Sequence, residues 1–306
     1  MSPPEPSRLT IVDLSCNITD TALLFEGGGM RASYTAPMVA TLLEAGIHTD
    51  FVAGISAGSS NTANYMARDG VRARTSFVEF AADPQFGGWK SFLRGQGIFN
   101  AQYIYEKTGL PGQALPYDFE TYRANPATVR FGAFDAADGR MVWWGKEDTP
   151  RLQDLMIRVR ASSTMPVLMP PVKLDGRTYV DGALGPDGGI PLSAAQDAGY
   201  DRFLVIMTRE RRYVKRPERF PAFYQRYFRT HPAIAEALIN RWRSYNETRE
   251  RLFELEREGR AYLYFPDRMP VANGERNVAK LAASYEAGME QAQRELPAIQ
   301  EFLNLR

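Results

Sequence analysis

A serine stands where an apolar run stops and a helical pattern begins: Phe51-Val52-Ala53-Gly54-Ile55 leads into Ser56-Ala57-Gly58. At such a strand-to-helix corner the hydroxyl is held outward as a nucleophile, and the N-terminal end of the helix dipole stabilises an alkoxide. Gly54 and Gly58, the elbow glycines, let neighbouring backbone pass close to the corner. Upstream, Gly27-Gly28-Gly29-Met30-Arg31 follows a second apolar run, Thr21 to Phe25. Backbone N–H groups of Gly27, Gly28, Gly29 and Met30 on such a turn can converge where an oxyanion develops. Nucleophile and oxyanion site together mean acyl transfer, with ester hydrolysis as the leading reaction. The plainer role for Ser56 is a helix cap.

A serine nucleophile needs a base. The chain has two histidines. His48 precedes the strand that carries Ser56, so at ~3.3 Å per residue it lies roughly 20 Å away, at the other end of the sheet. Ser56, Asp181, His231 is the chain order of an α/β-hydrolase triad. The second strand is too early for that fold's nucleophile, however, and His231 precedes Pro232 at a helix start in a basic stretch. Asp181, in Tyr179-Val180-Asp181-Gly182-Ala183, is the better partner. A carboxylate at a strand end, with Gly182 to turn the chain, can take the Ser56 proton directly. Aspartate is a weak base, so a dyad of this sort leans on desolvation and oxyanion stabilisation. Gly27-x-Gly29-x-x-Ala32 also imitates a dinucleotide fingerprint, but the acid that should follow the second strand is missing, since Asp50 lies before it.

These motifs, in this order and spacing, resemble the patatin-like phospholipase family: a Gly-rich loop followed by Arg, a Gly-x-Ser-x-Gly elbow and an Asp-Gly-Ala motif. Ala161-Ser162-Ser163 through Pro166 and Pro170-Pro171 is similar to the family's approach to its aspartate. The likeness spans about Ala22 to Thr208, and the remainder is similar to bacterial members with a basic C-terminal extension. It implies a three-layer α/β/α sandwich around a mainly parallel sheet and a Ser56–Asp181 dyad that needs no metal or other cofactor. It also implies a lipid acyl ester as substrate, in the manner of a phospholipase A or lysophospholipase. Ala32 stands where the family often has Gly, which leaves the backbone of the oxyanion loop less free. Arg31 has two readings, an anchor for a lipid phosphate or a brace for the loop, and the brace is favoured. Two competitors stay open: a non-lipid carboxylesterase or acyltransferase on the same fold, and a lipid-binding protein without turnover.

The elements that must position these residues follow from periodicity. Strand, helix, strand, helix with short links (21–25, 31–45, 51–55, 57–68) implies a parallel sheet covered on both faces. Asp138-Gly139 and Asp175-Gly176 mark two hairpins. Thr149-Pro150 reads as a cap and first turn of a helix reaching Arg160. A short helix (192–198) and a strand (203–207) follow. Residues 1–20 read as a loose Pro-rich tail, 21–208 as the catalytic domain and 209–306 as a basic helical extension packed against it. That extension holds a long charged helix (233–258), a late edge strand (261–265) and a final helix.

Between Arg209 and Arg229 eight Lys/Arg face two Glu, interleaved with six Phe/Tyr. A solvated face is the ordinary fate of such a run, and peripheral contact with an anionic membrane is the functional alternative. Nucleic acid is not expected, because the net charge is only +1 and no RNA-binding module surrounds the segment. The single Cys16 fits a reducing compartment. The first residues lack the pattern of a signal peptide, and no apolar run reaches the ~20 residues that cross a bilayer. A cytoplasmic protein, at most peripheral to a membrane, is the expectation.

Overall fold

β1 (Thr21–Phe25) and β2 (Phe51–Ile55) are buried along their whole length, as strands covered on both faces must be. The structure is a computed structural model describing residues 14–87 and 99–305. β1 lies between β2 and β7 (Arg202–Ile206), and β7 carries β8 (Ala261–Tyr264) on its far side, all parallel. β3 (Thr128–Asp135) runs parallel to β2 and antiparallel to β4 (Met141–Trp144) and β6 (Arg177–Asp181). β5 (Val172–Leu174) closes the other end as the hairpin partner of β6. The result is one eight-stranded mixed sheet.

Side chains alternate along each strand and feed two cores. Leu23, Phe25, Val52, Leu204 and Ile206 point to the face covered by α1 (Ala32–Glu44), α2 (Ala57–Met66) and α9 (Val278–Phe302). Ala22, Leu24, Ala53, Phe203 and Val205 point to the face covered by α6 (Leu192–Asp197) and α8 (Pro232–Arg257). α3 (Gly70–Phe77), α4 (Phe119–Ala124) and α5 (Leu152–Ser162) complete the first layer's side of the molecule, and α7 (Pro221–Tyr227) precedes α8. The α/β/α layering expected from the sequence is present.

Two local expectations are revised. The start of α5 falls at Leu152 rather than at Pro150, because the Arg151 N–H is capped by Asp154 Oδ2 at 3.1 Å. The Thr149 hydroxyl is occupied elsewhere, by the Gly145 carbonyl and the Tyr122 hydroxyl. The tail is tied down before Asp20: Ile18 is buried, and the Asn17 and Ile18 N–H groups donate to the His48 carbonyl. Residues 1–13 of that tail lie outside the described residues. The C-terminal third shares the same sheet and core. β8 extends the sheet, and α9 packs on α1 through Ser33–Ser284 (2.9 Å) and Tyr34–Gln291 (2.6 Å) hydrogen bonds.

Candidate active site

Ser56 and Asp181 leave strands that meet end to end. Ile55 of β2 pairs with Gly132 of β3, and Asp181 of β6 pairs with Ala133, the next residue. Phe131 faces both Gly54 and Trp144, while Phe134 faces both Val180 and Met141. β4 therefore takes one edge of β3, and β2 and β6 share the other, approaching from opposite directions. The chain leaving each strand arrives at the same point.

The elbow is strained and tightly held. Ser56 has φ 57° and ψ −127°, a conformation that costs an L-residue of order 1–3 kcal/mol. Its N–H donates to Ser162 Oγ at 3.0 Å, and Ser162 Oγ in turn donates to the Gly132 carbonyl at 2.5 Å. A side chain at Gly58 would overlap the Phe25 carbonyl, and one at Gly54 would overlap Gly58 itself. Both glycines are therefore required by close approach of β1, β2 and α2.

Ser56 Oγ donates to Asp181 Oδ2 at 2.8 Å, and both side chains are almost fully buried. Asp181 Oδ1 accepts the Ala183 N–H at 2.9 Å, and the Asp181 N–H donates to the Thr164 carbonyl at 2.8 Å. Burial pushes the Asp181 carboxyl above its ordinary range. The Ala183 N–H, the Arg241 charge and the Ser56 hydroxyl pull it back part of the way. A carboxylate raised by desolvation is a stronger base, which is what proton transfer from a hydroxyl requires.

The Gly-rich loop lies beside Ser56, but its four N–H groups are not equivalent. Gly27 N–H donates to the Gly189 carbonyl at 3.0 Å, and Met30 N–H donates to the Asn273 carbonyl at 2.9 Å. Those two N–H groups are already occupied, which corrects the expectation that Gly27 and Met30 would face an oxyanion. Gly28 and Gly29 have N–H groups without a partner among the described residues, as does Ala57 at the first turn of α2. Gly29 takes φ 53°, the left-handed region that glycine enters without strain. Ala32 is buried as the first residue of α1.

Arg31 is buried and braces this loop. Its Nε donates to the Thr208 carbonyl at 3.1 Å and its Nη1 to Asn273 Oδ1 at 3.3 Å. The brace is made of neutral acceptors. Burial and the neighbouring Arg209 lower its pKa to about 10.

Two cavities open from Ser56. One, of about 90 Å³, is walled by apolar side chains including Phe77, Phe80, Ile104, Met156 and Val159. The other, of about 280 Å³, is the more polar of the two and takes Arg31, Arg209, Lys215 and Arg241 into its wall. The histidines are elsewhere. His48 lies where β2 begins, beside Asn17 and Arg68, and His231 is the N-cap residue of α8, next to Thr230.

The basic segment is split by the fold. Arg209 and Lys215 turn into the polar cavity, and Arg211 is paired with Glu256 and lies over Phe253 and Phe265. Arg212, Arg216, Arg219, Arg226 and Arg229 stay exposed, together with Val214, Phe220, Phe223 and Tyr227. No helix among the described residues is long and apolar enough to cross a membrane.

The family model described as Patatin-like phospholipase matches residues 23–195, more than half of the chain and all of the elbow, the Gly-rich loop and Asp181. The chain belongs to the patatin-like phospholipase family. Family membership supports lipid acyl hydrolysis in general. A second family model, a domain of unknown function named DUF6363, matches residues 231–304. Among solved structures, VipD from Legionella pneumophila is similar over 90% of this chain and 67% of its own, with 12% identity and a TM-score of 0.44. No curated protein matches the chain.

Several residues around the site carry no signal in the sequence. Asn273 holds the Gly-rich loop through Met30 and Arg31. Arg241 donates to the carbonyls of Ala183 (2.8 Å) and Gly188 (3.1 Å), just past Asp181. Tyr245 donates to the buried Glu26 at 2.8 Å. All three lie within the span matched by the domain of unknown function, so that region braces both loops of the site.

Proposed function

We propose that this protein is a serine acyl hydrolase of phospholipase A or lysophospholipase type, with Ser56 as nucleophile and Asp181 as base. The 2.8 Å hydrogen bond between Ser56 Oγ and Asp181 Oδ2, at the junction of an apolar and a polar cavity, carries the reading. The acyl chain lies among Phe77, Phe80 and Met156, and the alcohol half of the ester lies in the polar chamber. Ser56 Oγ attacks the ester carbonyl while its proton passes to Asp181. The oxyanion that forms faces the Gly28, Gly29 and Ala57 N–H groups, in a site where such donors are worth most because water is excluded. Asp181 returns the proton to the departing alcohol, leaving an acyl-Ser56 ester. A water, deprotonated by Asp181, attacks that ester, and Asp181 hands the proton to the departing Ser56 Oγ as the fatty acid is released. The proton count closes at each step with Asp181 alone.

Exposed Phe220, Phe223 and Tyr227 on and beside α7, flanked by Arg216, Arg219 and Arg226, favour docking on an anionic lipid surface close to the polar chamber that Lys215 lines. The reaction is tested with a fluorophosphonate probe on the full chain. Labelling of Ser56 that vanishes in Ser56→Ala, together with loss of ester hydrolysis and an unchanged circular dichroism spectrum, is the expected result. Undiminished labelling in Ser56→Ala would remove Ser56 from the mechanism.

A further inference from the structure

The polar chamber concentrates positive charge without ion pairs to balance it. Arg31, Arg209, Lys215 and Arg241 line it together with Ser56, and none of the four is in a salt bridge among the described residues. The chamber's two carboxylates have their oxygens committed. Glu26 accepts the Tyr245 hydroxyl and the Thr208 N–H, and Asp181 accepts Ser56 and Ala183. Arg31 and Arg241 each keep N–H groups beyond those that hold the loops. Lys215 Nζ has no hydrogen-bond partner among the described residues. Burial, then Arg241, Arg209 and Arg31, lower the Lys215 ammonium to about 8. Like charges crowded into a desolvated pocket repel, and an anion bound among them removes that repulsion.

We propose that this chamber is a subsite for a phosphate on the alcohol half of the substrate, selecting acyl esters whose head group is net anionic over zwitterionic choline esters. The inference rests on the reading of Ser56 as an ester-cleaving nucleophile. It adds that Arg209 and Lys215 from the segment after β7, and Arg241 from α8, determine head-group specificity. A quaternary ammonium meets a net positive wall there, four cations against the Glu26 and Asp181 carboxylates. Both chamber aromatics already face a guanidinium, Tyr213 that of Arg209 at 4.3 Å and Tyr245 that of Arg249 at 5.7 Å. A phosphomonoester matches the cations best, because charge-assisted hydrogen bonds to phosphate are the strong ones and guanidinium binds it in bidentate fashion.

The test uses the full chain and three octanoyl esters below their critical micelle concentrations, so that surface charge plays no part. They are octanoyl-lysophosphatidic acid, octanoyl-lysophosphatidylcholine and monooctanoylglycerol. The expected order of kcat/KM is phosphomonoester over choline ester by about 10²-fold, since each charge-assisted contact is worth roughly 10-fold or more. Within Arg209→Gln or Lys215→Gln, the ratio of lysophosphatidic acid to monooctanoylglycerol should fall by about 10-fold. A ratio taken within one variant cancels any general damage to the enzyme. Glycerol 3-phosphate should raise the Tm of the wild type, and raise it less in either variant. Equal rates on all three esters would overturn the proposal while leaving the hydrolase reading intact. Protection by inorganic phosphate without any head-group preference would overturn it too, assigning the chamber to free phosphate. If no ester is cleaved and Ser56 is not labelled, the hydrolase reading falls instead.

Discussion

Replacing Asp181 by Asn removes the proposed base and little else. The amide keeps an oxygen for the Ala183 N–H, now 2.9 Å from Oδ1, and turns an N–H toward Ser56 Oγ, now 2.8 Å from Oδ2. Ser56 then accepts a hydrogen bond where it formerly donated one, so its proton has nowhere to go. The Gly28, Gly29 and Ala57 N–H groups and the elbow are untouched, so the loss is confined to the proton-transfer component. Removing one member of a nucleophile–base pair lowers kcat by ~10³–10⁴, equivalent to about 4–5.5 kcal/mol of barrier. The same substitution has a second readout. Burial raises the Asp181 pKa in the folded protein, so its ionised form costs stability. The cost is absent below the unfolded-state pKa and fully present above the raised folded-state value. Asp181→Asn should therefore melt at a higher temperature than the wild type at pH 7, with the gap closing toward pH 4. The wild-type kcat/KM should also fall on the acid side through a pKa above that of an ordinary aspartate. Hydrolysis of p-nitrophenyl butyrate from pH 4 to 8, with thermal melts at each pH, measures all three. His231→Ala is the control, expected within a few-fold of wild type because His231 stands at the start of α8 outside both cavities. More than a tenth of wild-type kcat in Asp181→Asn, or an inactive His231→Ala, would refute the dyad.

Two further outcomes are expected. Ala63 lies seven residues beyond Ser56, about 10 Å along α2 at 1.5 Å per residue, in the wall of the apolar cavity. Ala63→Phe should lower kcat/KM for palmitoyl esters by about 10²-fold, the loss of some four buried methylenes at ~0.8 kcal/mol each, and barely affect acetyl esters. Equal losses on both chain lengths would place the acyl group elsewhere. Replacing Phe220, Phe223 and Tyr227 with Ser should weaken co-sedimentation with anionic vesicles by at least about 10²-fold, since each ring is worth roughly 1.5–3 kcal/mol when buried. Unchanged binding would leave α7 as ordinary solvated surface.

The sequence by itself determined the local frame of the site. The apolar runs at 21–25 and 51–55, the glycines that follow them and the Asp-Gly turns of the hairpins are local features. Their physics is set by a few adjacent residues: burial on both faces, absence of a Cβ, or a backbone angle that only some residues accept. For that reason Ser56 and Asp181 each stand out in the sequence, at an elbow and at an Asp-Gly strand end. The same locality explains the misplaced start of α5, where Thr149 has the right chemistry for a cap but is occupied by Tyr122, a partner twenty-seven residues earlier. Tertiary structure alone decided which amides of the Gly-rich loop are free. Whether an N–H is available depends on the carbonyl that happens to face it, here Gly189 for Gly27 and Asn273 for Met30. It also divided the basic stretch after Thr208 into chamber cations, an ion-paired Arg211 and an exposed remainder, because α8 reaches back across the sheet to present Arg241 and Glu256. Charge spacing along a chain does not reveal which charges a distant helix will bury, since that depends on packing rather than on neighbours in sequence.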